Sequence, residues 1–276
     1  MAVVPDDVLA PLADLPGVRE ALDRARAGVD SVLWDRGVRG RAAEIVAASR
    51  LRGAWATAAI DGAEVRPDAL VSGDALDGSP IGRVVAAAMA LQAEVGREVS
   101  TFDHAPLQVL SRLHAVVSAS FVASDDERGR LRTTDVADDP LRLGVLPTSD
   151  EAALRTTALA GLLTRPTSAP ALVVAAVGHA EIAVVRPFSW GSGLVARSVT
   201  RLVLASRGVD PDGLTVPEAG LYAAGRTAYA TALRAYATGS PEGVAQWLVL
   251  HADSVRVGAD ESRRILADLP VPRSFP

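Results

Sequence analysis

Apolar residues recur at intervals of three and four along most of this chain, the spacing of helices that bury one face. Val18, Leu22, Ala25 and Val29 align in a helix predicted over 16–34, where Pro16 suits a first-turn position. An Ala-rich helix is predicted over 37–60, closed by Gly62. Pro67, Gly73, Gly78 and several Asp make 66–79 a loop with room for one short helix. Further helices are predicted over 81–99 (Val84, Val85, Ala88 and Leu91 on one face), 105–122 (starting near Pro106) and 150–163. Residues 194–207, ended by Gly208 and Pro211, then 218–237 and 241–269 complete the set. Residues 171–185 are apolar almost all round; periodicity cannot separate helix from strand there, and length favours helix.

Residues 123–150 differ in texture. The polar run Ser124-Asp125-Asp126-Glu127-Arg128-Gly129-Arg130 is followed by Leu141, Leu143 and Val145 at period two, a strand-like alternation too short for a sheet domain. The segment 164–170 reads as a linker, and there is no internal repeat. The division that follows is 1–100 as a helical region, 101–212 as a core region and 213–276 as closing helices, all packed as one all-α domain.

Composition narrows the picture. Apolar residues make up 49% and aromatics 4% of 276 residues, so the core must be built from Ala, Val and Leu. All 28 basic residues are Arg, which reads as a coding bias and warns against giving each one a role. A net charge of −5 and no basic run argue against a nucleic-acid partner. Zero Cys excludes disulfides and thiolate sites. The start, Met1-Ala2-Val3-Val4-Pro5-Asp6-Asp7, lacks a signal-peptide pattern, and no stretch offers a membrane span, so a cytoplasmic location with no membrane partner is expected.

The candidate chemistry lies at Arg186-Pro187-Phe188-Ser189-Trp190-Gly191-Ser192-Gly193-Leu194-Val195-Ala196-Arg197. Its Gly-Ser-Gly turn opens a helix, and the unpaired N–H groups of a helix start form an anion site. The stretch resembles the Fic (Fido) motif H-P-F-x-[D/E]-G-N-G-R-x-x-R. Pro187, Phe188, Gly191, Gly193 and Arg197 are in register. Arg186 stands at the family's catalytic His, Trp190 at its Mg²⁺-binding acid, Ser192 at its Asn and Leu194 at its first Arg. His179 precedes Arg186 by seven residues, as a His does in the family. Gly129-Arg130-Leu131-Arg132 followed by 141–147 is similar to the segment leading into a β-hairpin flap, with Leu141, Leu143 and Val145 as flap residues. Thr57-Ala58-Ala59-Ile60-Asp61-Gly62 is similar to an inhibitory helix in which Asp replaces Glu. Tyr222 to Leu233 and Trp247 resemble the closing helices, so the likeness spans about 40–255.

The resemblance implies an all-α Fic/Fido-type domain with a small β-hairpin flap, and AMP transfer from ATP to a protein hydroxyl. This motif argues against that transfer. A guanidinium is protonated at any reachable pH and cannot be the base. Arg186 is therefore a fixed cation for phosphate or carboxylate, or a partner for a local acid. Trp190 cannot hold Mg²⁺, which wants hard oxygen ligands; it either stacks on a base or plugs the cleft. Gly191, Ser192, Gly193 and Arg197 remain as phosphate-binding groups. The resemblance pairs Asp61, at the end of the Thr57–Gly62 motif, with Arg197. A Ser192–His179 triad is discounted because W-G-S-G lacks the nucleophile elbow. No metal site is expected: His104, His114 and His251 lack ligand spacing, and Asp125-Asp126-Glu127 reads as a solvated turn.

The implied ligand is ATP, another nucleotide or a phosphate; the implied partners are a protein target at the flap and a second copy of the chain. Two other readings stay open. Gly191-Ser192-Gly193 also fits the dinucleotide fingerprint of an NAD(P)-dependent oxidoreductase, with Ile182 to Val185 as its strand and Asp210 as the ribose acid. Alternatively the chain is a scaffold that binds proteins through the flap.

Overall fold

The computed structural model describes residues 7–119, 121 and 127–270. Within them the helical periodicity is realised as a 3-10 turn, Ala10–Asp14, and the helices α1 (Val18–Leu33), α2 (Arg36–Gly40), α3 (Ala42–Ile60), α4 (Pro67–Ser72), α5 (Pro80–Phe102), α6 (Pro106–Ser118), α7 (Ser149–Thr164), α8 (Ala171–Val185), α9 (Ser192–Ser206), α10 (Pro217–Ala224), α11 (Arg226–Ala237) and α12 (Pro241–Asp268). Ser79, Thr148 and Ser240 cap α5, α7 and α12 with side-chain oxygens, satisfying backbone donors that a helix start leaves free. The reading of 105–122 as helix is met up to Ser118; residues 120 and 122 fall outside the described residues, as do Met1 to Asp6 and the Ser124 to Asp126 part of the polar turn.

Two long helices predicted from periodicity are each broken. The 37–60 stretch divides at Arg41 (φ −133°, ψ 23°), where the Asp35 carboxylate has already started the separate turn α2 by accepting from Gly37 and Val38. The 218–237 stretch divides at Gly225, whose φ of 88° and ψ of 147° lie outside helical space. Periodicity alone cannot register such a one-residue break, because the apolar face resumes in phase beyond it.

The apolar helix α8 is buried on nearly every face and lies against α7, α9, α11 and α12. Opposite it, α9 packs on α3, α5, α6 and α8. At the far side α12 runs along α1, α10 and α11. Helices from the first, middle and last thirds of the chain thus share the main core, and α8 with α9 forms its axis. Small side chains make this close packing workable: a Cβ on Gly258 of α12 would fall 2.5 Å from the Val216 backbone, and one on Gly220 of α10 would fall 2.0 Å from the Ser254 carbonyl oxygen.

The expected β-hairpin is not seen. Among the described residues there is no strand, and 133–148 crosses the surface as an irregular strap. Its alternation is real in burial, since Leu141 is buried, Leu143 packs on the core and Val145 is 93% exposed. Its backbone partners are arginine side chains instead of a second strand. Arg132 donates to the carbonyls of Thr134 (2.8 Å) and Pro147 (2.6 Å), Arg186 to those of Gly144 and Val145, Arg226 to Pro140 and Arg234 to Arg142. Asp139 accepts from the N–H groups of Leu143 and Gly144. Pro140, Pro147 and the positive φ of Arg142 (54°) and Gly144 (98°) would interrupt a ladder in any case.

Candidate functional site

The loop between α8 and α9 is short because both of its ends turn sharply. Arg186 caps α8 in the left-handed region (φ 48°, ψ 63°), unusual for a residue with a side chain. Gly191 then opens α9 at φ 76°, and a Cβ there would lie 2.5 Å from Val117 of α6, so only glycine fits. The N-cap of α9 is Gly191, which has no side chain to satisfy the first N–H groups of the helix. Ser192 does not face outward. It is buried, its hydroxyl donating to the Phe188 carbonyl (3.3 Å) and accepting from the Phe188 N–H (3.2 Å), so it braces the loop and is no exposed nucleophile.

Beneath the turn lies Arg197, 1% exposed. Its Nη2 donates to Asp61 Oδ2 at 2.6 Å and to the Thr57 carbonyl at 3.3 Å, and its Nε donates to the Thr57 hydroxyl. The C-terminal end of α3 therefore docks against the start of α9, bringing Thr57, Asp61 and Arg197 together. Two buried atoms of this cluster make no well-aligned hydrogen bond, Arg197 Nη1 and Asp61 Oδ1, although the Tyr229 phenol also lies against the guanidinium. Both face Gly193, where an added Cβ would lie 3.3 Å from Arg197 Nη1 and 3.5 Å from either Asp61 oxygen. Gly193 keeps the turn open over the ion pair. Burial pulls the guanidinium pKa down, but the Asp61 charge and the Tyr229 phenol outweigh it, and the net direction is up. Gly62 follows with φ 93°, ending α3 beside Arg226.

Arg186 resolves differently from a phosphate clamp. It is 4% exposed, with Nη1 2.7 Å from Asp139 and Nη2 donating to the carbonyls of Gly144 (3.0 Å) and Val145 (2.8 Å). Its charge and most of its donors are engaged by the strap; only Nε is unpartnered. Trp190 stacks on Phe121 with ring centroids 3.7 Å apart, filling the position of the family's acidic ligand with an indole. Mg²⁺ needs hard oxygen donors, so these residues do not fit it in the usual family arrangement. Among the described residues no group of three His, Asp or Glu is placed to hold a metal.

His179 is fully buried in α8 and belongs to a separate polar chain. Its Nε2 is 2.6 Å from the Tyr229 hydroxyl, its Nδ1 is 3.0 Å from Thr200 Oγ1, and Thr200 is 3.0 Å from His251 Nε2. The neighbouring guanidinium leaves the phenol oxygen as acceptor, so Tyr229 donates to His179, His179 to Thr200, and Thr200 to His251. Burial, then the His251 and Arg197 charges, hold His179 well below its ordinary pKa; burial pushes His251 down to about 3 and Tyr229 up to about 12. Both imidazoles are therefore neutral structural links.

Sequence reasoning missed Asp138 and Asp139, the acids that meet the motif from the strap. Asp138 is half-buried, its N–H donates to the Ser189 carbonyl at 3.0 Å, and its carboxyl group lies near the Gly191 N–H. Burial and the nearby Asp61 charge push it up to about 7, against the pull of the Gly191 N–H. The adjacent acids before Pro140 were the available signal. Also missed was Arg201, one turn beyond Arg197, which is held bidentately by Glu218 at 2.7 and 2.8 Å.

A groove of about 730 Å³ between α10 and α12, lined by Gly220, Ala223, Ala245, Val249 and Leu250 among others, lies away from this turn.

Solved structures were compared with this arrangement of a buried central helix, a tight loop and a second helix starting on Gly-Ser-Gly. A Fic family protein from Desulfovibrio desulfuricans G20 superposes with a TM-score of 0.71 at 16% identity, covering 99% of this chain and 78% of that one. Fic-1 (residues 134–508) from C. elegans superposes with a TM-score of 0.62 at 18% identity, covering 90% of this chain and 73% of that one. The fold is the Fic fold. No protein-family model matches the chain, and no curated protein matches it. The Fic fold removes the dinucleotide reading, since Ile182 to Val185 is the end of α8 and not a strand. Asp210 does not point to a ribose either; its carboxylate accepts from the backbone of Leu214 and Thr215.

Proposed function

We propose that this Fic-fold chain is an oxyanion- or nucleotide-binding protein that does not transfer AMP, with Asp61 as a built-in competitor for the ligand's charge. The observation that carries the reading is Arg197 Nη1, buried without a well-aligned partner beneath Gly193 at the start of α9. A cation of this kind, beneath a helix N-terminus, suits a phosphate oxygen better than any neutral group. Asp61 already takes the other guanidinium nitrogen, so it limits what Arg197 can offer an incoming anion. The base position argues against transfer: a guanidinium is no general base, and Arg186 is spent on Asp139. Protein recognition through the strap is a second reading, supported by Val136 and Val145 at 69% and 93% exposure.

The test is a thermal-shift series with pyrophosphate and ATP, with and without Mg²⁺, on wild type and Asp61→Ala. The reading expects stabilisation that is larger in Asp61→Ala and indifferent to Mg²⁺. A folded Asp61→Ala variant that answers to neither anion would overturn it.

A further inference from the structure

The strap lies over the turn and brings its own carboxylate to it. Asp138 is bound through its main chain, donating its N–H to the Ser189 carbonyl at 3.0 Å, which places its carboxyl group near the Gly191 N–H. The Gly191 N–H is one that a phosphate oxygen at the α9 start would use. A carboxyl group tethered beside it acts at a high effective concentration and takes the space an incoming anion would need. Three sets of contacts keep the strap in place. Arg132 ties its two ends through the carbonyls of Thr134 and Pro147, and the exposed Arg226 and Arg234 touch its outer side. Its middle is held by Arg186, which joins an ion pair to Asp139 with two carbonyl contacts, at Gly144 and Val145. Arg186 does this from a left-handed backbone conformation that costs an arginine energy, so the side-chain contacts must outweigh the strain.

We infer that Arg186 is a latch: it holds the 133–148 strap across the start of α9 with Asp138 seated on the Gly191 turn, and an oxyanion enters only when the strap lifts. This rests on the oxyanion reading of the same turn. The residue at the base position thus has a role in access in place of one in proton transfer.

The test uses the full chain, as wild type, Arg186→Gly and Asp138→Ala. Glycine is chosen because φ 48° suits it, and Asp138→Ala removes only a half-buried carboxylate should the first variant fold poorly. Two readouts are taken: hydrogen exchange of peptides from 133–148, and calorimetric titration with pyrophosphate. The latch predicts at least tenfold faster exchange of the strap in Arg186→Gly, and at least tenfold tighter pyrophosphate binding in both variants than in wild type. Unchanged strap protection in Arg186→Gly overturns the latch. Wild type binding pyrophosphate as tightly as the variants overturns it too, and leaves the oxyanion site standing. A freed strap with no binding in either variant overturns the oxyanion reading and the occlusion together.

Discussion

Helix α9 carries two buried arginines one turn apart, and they are satisfied in different ways. Arg201 donates Nε and Nη2 to the two Glu218 oxygens at 2.7 and 2.8 Å, and Nη1 to the Ser49 hydroxyl at 3.3 Å. Glu218 also accepts from Gln92 at 2.8 Å, so the cluster joins α3, α5, α9 and α10 with its guanidinium fully used. Arg197 has a comparable burial and an acid at 2.6 Å, yet its Nη1 and the second Asp61 oxygen make no well-aligned hydrogen bond. Buried polar groups are nearly always paired. Arg201 is a structural tie, and Arg197 is a tie whose guanidinium keeps one atom without a well-aligned partner, the feature on which the proposed oxyanion site rests. Arg186, the third buried arginine of the region, spends its donors on the strap.

The largest expected difference is in stability. Glu218→Ala would strand the Arg201 charge, only 7% exposed, without its acid, a loss of up to roughly 3–5 kcal/mol measured by urea unfolding. Asp61→Ala should cost less, about 1–3 kcal/mol, because Thr57 retains two contacts to Arg197 and the Asp61 side chain is 10% exposed. If Asp61→Ala proves as damaging as Glu218→Ala, the two arginines are equivalent and the comparison fails.

The polar chain behind Arg197 gives a pH test. His251 is pushed down to about 3 by burial, so it stays neutral in the folded protein while the unfolded imidazole gains a proton below about 6.5. Its share of stability is whole above the unfolded value and is lost as pH falls through that window toward 3. The slope approaches about 1.4 kcal/mol per pH unit. His251→Leu should therefore flatten the decline in unfolding free energy between pH 6.5 and 5.5 by about 1 kcal/mol. An unchanged slope would show that His251 titrates alike in both states.

The smallest effect concerns the strap. Val145 is used through its carbonyl, and its side chain is 93% exposed, so Val145→Ser should change stability by under about 0.5 kcal/mol. A larger loss in the thermal midpoint would mean that the strap is fastened by side chains as well.

How far the sequence could be read follows the range of each interaction. Helix α8, whose apolar character and length needed no partner to interpret, was legible at 171–185. The Gly191-Ser192-Gly193 turn and the contact between Asp61 and Arg197 could be anticipated because the motifs carry them in order. The breaks at Arg41 and Gly225 could not, since each depends on one residue's backbone conformation inside an unbroken apolar phase. The hairpin was wrongly expected because Leu141, Leu143 and Val145 report alternation of burial, whereas a strand also needs a partner for its backbone. That partner is supplied here by Arg132, Arg186, Arg226 and Arg234, from distant positions in a chain whose arginines looked uninformative. The pairing of Arg201 with Glu218 was invisible for the same reason: 17 residues and a turn separate them, and nothing local to either predicts the meeting.

The central claim is that the motif keeps an oxyanion site and has lost the chemistry of transfer. Its most direct test is a single incubation of folded Asp61→Ala protein with α-phosphate-labelled ATP and Mg²⁺, read for both retained nucleotide and covalent label. The account predicts ATP bound reversibly and no AMP on any protein. Covalent AMP that disappears in the Arg186→Ala background, or no ATP bound at all, would contradict it.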